Sequence, residues 1–196
     1  MKIISSLLAL TLASGLLHAE PTALFNGTDL SGWKSDAKGD FPYWTVKDGL
    51  LVCQSGPGKK GSHLWTEKEF RDYTLTLDFK YGEGTIDSGV MVRGGGDQIQ
   101  IGISGSLKRD LTAAPYIPGK GYPVESKAAI EAVKQDDWNT LKIVVKGDTY
   151  QTWLNGVEGI TYTSKTAKES GKIGLQLHGQ RDMNISFRNI MIETAE

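Results

Sequence analysis

The sequence predicts an all-β protein, a two-sheet antiparallel β-sandwich with one long insertion loop. Three observations carry that prediction. Apolar and polar residues alternate with period two over runs of four to nine residues, as in strands with one buried and one wet face. Those runs are separated by Gly, Asp-Gly or Asn-Gly, which accept the positive φ of tight hairpin turns. Glycine itself is abundant, at 24 of 196 residues, about 12% against a usual ~7%, without the period of collagen or the bias of a linker.

In chain order, Met1-Lys2 precedes an apolar run over residues 3–17, followed by His18-Ala19-Glu20-Pro21. This is the charged, apolar and small-residue order of a secretory signal. The run is shorter than the roughly 20 residues of a membrane span and contains Ser5, Ser6, Thr11 and Ser14. Cleavage after Ala19 is expected, leaving residues 20–196 as one exported domain, periplasmic or extracellular, with no membrane contact after cleavage. No Cys directly follows the run to carry a lipid.

The remaining elements follow from alternation and turns. Lys47-Asp48-Gly49, Lys146-Gly147-Asp148 and Leu154-Asn155-Gly156 sit at hairpin spacing. Tyr73, Leu75, Leu77, Phe79 and Tyr81 alternate with Thr74, Thr76, Asp78 and Lys80, and Leu141, Ile143 and Val145 repeat the pattern. Residues 107–135 differ, with Pro115, Pro118, Pro123 and then an alanine-rich piece over 126–134. They predict an insertion loop with about two turns of helix. Cys53, the only cysteine, forbids an intrachain disulfide and reads as a small buried hydrophobe. The tryptophans, Trp44, Trp65 and Trp153 among them, read as core, and His63 as a strand-edge residue.

Charge narrows the function. Lys+Arg total 22 against 23 Asp+Glu, so the broad basic surface that nucleic-acid binding requires is absent and no nucleic-acid partner is expected. The informative stretch runs from Asp87 through Arg93, Gly94-Gly95-Gly96 and Asp97 to Ile103. Val90, Val92, Ile99, Ile101 and Ile103 point one way, so Asp87, Met91, Arg93, Gln98 and Gln100 point the other. Ile173, Leu175 and Leu177 likewise leave Gln176 and His178 outward. If the three strands share a sheet, one face offers amides, a carboxylate, a guanidinium and an imidazole. That inventory suits the alternating donors and acceptors of a carbohydrate. The bland alternative is an ordinary wet sheet face.

The chain resembles the 3-keto-disaccharide hydrolase domain family. The resemblance rests on Leu24-Phe25-Asn26-Gly27-Thr28-Asp29-Leu30-Ser31-Gly32-Trp33, Trp44-Thr45-Val46-Lys47-Asp48-Gly49 and Asp87-Ser88-Gly89 with Arg93. It continues through Trp138-Asn139, Leu154-Asn155-Gly156, Gly174-Leu175-Gln176-Leu177-His178-Gly179 and Phe187-Arg188-Asn189-Ile190. It implies a concanavalin A-like jelly roll with a concave sugar-binding face. Two departures stand out: the family's Asn-Ser-Gly is Asp87-Ser88-Gly89 here, and its Glu-x-Gln-x-x-Asp strand begins at Gln98.

Ordinary glycosidases need two carboxyls, about 5–5.5 Å or 6.5–9.5 Å apart, and the predicted face offers only Asp87. A 3-keto sugar needs less, because its ketone acidifies the C2 hydrogen and permits elimination of the C1 substituent, followed by hydration. One base and an electrophile suffice. The expected assignment is His178 or Asp87 as base, with Arg93, and Lys108 or Arg109, stabilising the oxyanion, while Gln98, Gln100 and Gln176 hold hydroxyls. A divalent metal on Asp87 and His178 would have only two protein ligands, and no cofactor is expected. The alternatives are a non-catalytic carbohydrate-binding module and, more remotely, an interaction domain in an exported assembly.

Overall fold

Period-two alternation builds fourteen strands in the computed structural model, which describes residues 20–39 and 42–194. The expected leader over residues 1–19 lies outside the described residues. In chain order the elements are β1 (Thr22–Ala23), β2 (Trp33–Ser35), β3 (Trp44–Lys47), β4 (Leu50–Gln54), β5 (Ser62–Phe70), β6 (Tyr73–Gly84), β7 (Asp87–Met91) and β8 (Gln98–Gly102). Then come β9 (Pro115–Tyr116), α1 (Lys127–Glu131), β10 (Asn139–Lys146), β11 (Thr149–Leu154), β12 (Val157–Thr163), β13 (Gly171–Leu177) and β14 (Met183–Thr194). They form two antiparallel sheets, one ordered β12-β11-β10-β6-β14-β4-β3 with β1 also on β14, the other β2-β5-β13-β7-β8-β9.

The core lies between them. The first sheet contributes Leu75, Leu77, Phe79, Ile143, Ile185 and Phe187, and the second Leu64, Val90, Ile99, Ile101, Ile173 and Leu175, all at 0% exposure. Each such side chain contributes about 1.5–3 kcal/mol. Cys53 is buried in the same core. The three expected hairpins close β3/β4, β10/β11 and β11/β12. Asp48-Gly49 and Asn155-Gly156 supply consecutive positive φ values, 53° and 78°, then 51° and 83°, as a two-residue turn twisted like its strands demands. Among the described residues no helix is long and apolar enough to cross a membrane.

The insertion is more ordered than a loop. Residues 113–116 run beside β8, with the Gln100 N–H donating to the Ala114 carbonyl and the Ala113 N–H to the Gln100 carbonyl. The same segment reaches the first sheet through Thr152 Oγ1, which donates to the Ala113 carbonyl, and through Tyr81, whose hydroxyl meets that of Thr112 at 3.0 Å. It thereby seals one side of the sandwich. The helix is shorter than expected: Ser126 caps it by accepting the Ala129 N–H, and it ends at Glu131. Ile103 also departs from expectation. Gly102 turns the chain at φ +87°, the alternation stops there, and Ile103 is 37% exposed instead of joining Ile99 and Ile101 in the core.

Candidate functional site

The outer face of the second sheet follows from strand register. Gly89 lies opposite Gln100 on β8 and Gln176 on β13, and Gln176 lies opposite His63 on β5. One row along, Met91 stands between Gln98 and Gly174, and Gly174 pairs Trp65, which pairs Lys34. In the other direction, Leu177 opposite Ser88 brings His178 beside Asp87. Thus Asp87, Gln98, Gln100, Gln176 and His178 share one face, as the alternation predicts. Gly89 leaves a gap among them. A Cβ there would come within 2.2 Å of the Gln98 amide nitrogen, so Gln98 lies across the glycine.

A directed chain of hydrogen bonds crosses this face. Tyr122, brought in by the insertion, donates its hydroxyl to Gln100 Oε1 at 2.9 Å, and Gln98 Nε2 donates to the same oxygen at 2.9 Å. Gln100 Nε2 then donates to Asp87 Oδ1 at 3.0 Å. Burial lifts the Tyr122 phenol above its ordinary 10, with a Ser104 hydrogen bond opposing and the Asp87 charge adding to the rise. The phenol therefore remains a neutral donor. Asp87 is 2% exposed, and the only partners of its Oδ2 among the described residues are Arg181 and His178. The buried Gln176 Oε1 accepts no hydrogen bond among the described residues, and a buried acceptor without a donor costs about 1–3 kcal/mol.

His178 and Arg181 close the Asp87 end. Arg181 Nε lies 3.4 Å from Asp87 Oδ2, and His178 Nδ1 lies 3.9 Å from the same oxygen. The His178 Nδ1–H donates to the Gly179 carbonyl at 2.6 Å, which leaves the Nε2 lone pair for proton acceptance. Next to them a cavity of about 560 Å³ is lined by Lys59, Gly105, Lys108, Gln180 and Arg181, among others. Lys108 makes no side-chain ion pair or hydrogen bond among the described residues, and no group of three or more metal-ligating side chains occurs among them.

Two expected residues fall elsewhere. Arg93 lies beyond the end of β7 with φ +52°, and its guanidinium turns away from Asp87. Its Nε donates to the Arg71 carbonyl, Nη1 to the Gly147 and Lys168 carbonyls, and Nη2 to Asp72 Oδ1 at 2.8 Å. At 1% exposure it is a buried staple between strand ends, with four of its five N–H donors committed. Arg109 pairs with Glu125 at 2.6 Å and is not brought to the polar face.

The structure adds residues that sequence reasoning placed otherwise or passed over. Trp65 is half-buried on the polar face, and His63 lies beside it, their rings 5.2 Å apart. Both could have been found, since they alternate with buried Leu64 and Thr66. Asp36 anchors them: it accepts the His63 N–H at 2.6 Å, faces the His63 ring nitrogen at 3.0 Å and accepts Trp65 Nε1 at 3.3 Å. Part-burial works against its ionisation, but these hydrogen bonds win and hold its carboxyl below the ordinary 3.8. Asp36 and Arg181 carry no local sequence signal, because their partners are distant in the chain or lie across strands.

A two-sheet sandwich whose outer face gathers amides, a buried carboxylate and an imidazole defines a carbohydrate-active β-sandwich protein. The chain belongs to the 3-keto-alpha-glucoside-1,2-lyase-like domain family, whose profile matches residues 20–193. It is similar in fold to a proposed glycosyl hydrolase from Parabacteroides distasonis, with TM-score 0.66 and 22% identity over 90% of this chain and 94% of that one. Carbohydrate-binding module CBM66 from Bacillus subtilis superposes with TM-score 0.57 at 16% identity, covering 83% and 96% of the two chains. A galectin-like protein of unknown function from the same organism gives 0.55 at 14% identity, covering 89% and 94%. No curated protein matches the chain by sequence at a significant level.

Proposed function

We propose that this protein, exported by its leader-like residues 1–19, cleaves 3-keto-glycosides by elimination across C1–C2, followed by hydration. The observation that carries the reading is His178, whose Nδ1–H is held by the Gly179 carbonyl so that Nε2 is free to accept a proton, beside the Asp87 carboxylate that Arg181 faces at 3.4 Å. His178 removes the C2 proton, and the C–H electrons form an enolate with charge on the C3 oxygen. The enolate re-forms the ketone as the C1–O bond breaks, leaving a C1=C2 double bond and a leaving oxygen that takes up a proton. Water then adds its oxygen to C1 and a proton to C2.

Arg181 and Lys108 are the cations available to the enolate oxygen, in place of Arg93. Asp87 accepts a sugar hydroxyl through Oδ2 and stabilises the imidazolium that forms on His178. Gln176 Oε1 accepts a second hydroxyl, while Gln98 and Gln100 hold Asp87 in orientation. Two-carboxylate hydrolysis fits less well, because the other carboxylates of this region are engaged, Asp182 in the neighbouring cavity by Lys59 and Asp36 by His63 and Trp65.

The test is incubation of purified protein with a 4-nitrophenyl 3-keto-glucoside. Nitrophenol release above buffer, lost in His178→Ala, supports the reading. Retained sugar binding without release would make the domain a binding module.

A further inference from the structure

The other end of the same face holds a groove of about 410 Å³, lined by Lys34, Trp65, Glu69, Lys168, Ser170 and Lys172 among others. The Trp65 ring lies on the sheet over Gly174, where a Cβ would come within 2.6 Å of ring carbons. Its edge is fixed, since Nε1 donates to Asp36 and the His63 ring packs alongside at a 30° tilt. Its outer surface carries no cation or second ring among the described residues. A large flat side chain, seated on a glycine and left half-exposed, is a stacking platform.

The groove is also cationic. Lys34 and Lys172 make no ion pair or side-chain hydrogen bond among the described residues, and Lys168 Nζ reaches only the Gly94 carbonyl, at 3.2 Å. Against these three stand Glu69, opposite Lys172 in the register, and Asp36, which its hydrogen bonds keep ionised, so the three lysines exceed the two carboxylates by one positive charge. Arg93 touches the groove but is matched by Asp72. From Gly174 to His178 is four residues of extended chain, about 13 Å, a span suited to two linked pyranose rings.

We propose that this groove is a second sugar subsite, which stacks the leaving-group ring on Trp65 and favours a ring bearing a carboxylate. The assignment of this ring as leaving group rests on the function proposed above; the platform and its charge preference do not.

Binding is therefore measured by calorimetry with unoxidised ligands that need no turnover: methyl glucoside, a glucosyl-glucose disaccharide and its glucosyl-glucuronic acid counterpart. Wild-type protein is expected to bind the acidic disaccharide about threefold tighter at low ionic strength, as exposed charge pairs allow, and to lose that preference in about 0.5 M salt. The Lys34→Gln/Lys172→Gln variant should bind both disaccharides alike. Trp65→Ala should weaken both disaccharides about tenfold, with methyl glucoside within about twofold of wild type and Trp65→Phe within about threefold for all, as stacking predicts. Equal loss for one ring and two rings in Trp65→Ala, unchanged disaccharide binding, or no charge preference in the wild type would overturn the proposal. Should 3-keto-glycosides not turn over while the Trp65 and lysine effects persist, the catalytic reading falls and the subsite stands.

Discussion

His178 and Asp87 face each other across adjacent strands, with Nδ1 3.9 Å from Oδ2, while the Nδ1 proton is committed to the Gly179 carbonyl. This arrangement points the free lone pair of the imidazole away from the carboxylate and gives the two residues different work. General base catalysis by a positioned imidazole is worth about 10²–10⁴-fold. His178→Ala is therefore expected to lower kcat/KM on a 3-keto-glycoside by that range. Sugar affinity should stay within about tenfold, because an interaction made only in the transition state is what is removed. Steady-state kinetics and calorimetry on the same preparation check it; full activity would remove His178 from the chemistry.

Arg93 is predicted to serve stability, not turnover. Removing one member of a buried, hydrogen-bonded ion pair costs about 3–5 kcal/mol, and Asp72, at 31% side-chain exposure, is partly hydrated, which places the cost at the low end. Urea unfolding of Arg93→Ala should show a loss of about 3 kcal/mol. Activity per folded molecule on a 4-nitrophenyl 3-keto-glucoside, whose leaving group carries no second sugar ring, should remain near wild type. A stable but inactive variant would return Arg93 to the site.

Gly89→Ala tests the gap in the polar face. The new methyl would displace the Gln98 amide, breaking the donation to Gln100 that orients Asp87. Disaccharide affinity is expected to fall about tenfold, the order of one lost hydrogen-bonding arrangement, with far-ultraviolet circular dichroism unchanged. Unaltered affinity would place the sugar elsewhere.

Asp36 carries a pH signature. Its carboxyl is held below the ordinary 3.8, so the unfolded chain takes up a proton first on acidification. The stability it adds is present above the ordinary value and is lost as pH falls through the lowered folded value. The stability difference between wild type and Asp36→Asn should thus shrink as pH falls below the ordinary carboxylate range, where any added attraction to a protonated His63 ring is lost with the carboxylate charge. A difference that keeps growing below that range would contradict the hydrogen bonds assigned to Asp36.

Cys53 is 0% exposed, and burial pushes its thiol far above the ordinary value. A thiol reagent should leave native protein unlabelled and modify one site after unfolding, because the thiolate is the reactive form. Rapid native labelling would contradict its place in the core.

The strands were legible because their signal is local. Period-two runs such as Tyr73, Leu75, Leu77 and Phe79 state which side is buried without reference to any partner, and the Asp48-Gly49 and Asn155-Gly156 turns state where the chain reverses. The same rule placed Asp87, Gln98, Gln100, Gln176 and His178 on one surface. It failed where strands end. Arg93 lies past the last residue of β7, and its direction is set by carbonyls of Arg71, Gly147 and Lys168, which no local pattern encodes. Ile103 follows a glycine in a left-handed conformation and escapes the alternation for the same reason. The apolar character of Trp65 suggests the core, but its phase in β5 puts it with His63 on the half-exposed side. Asp36 and Arg181 act through folded contacts alone.

The central claim is that the C2 hydrogen leaves before the glycosidic bond is hydrolysed, and the most direct measurement is turnover of a 3-keto-glucoside deuterated at C2. A primary isotope effect on kcat/KM, together with exchange of solvent hydrogen into C2 of the released 3-keto-glucose, is the expected result. Release of the leaving group with no isotope effect and with the C2 label retained would contradict it.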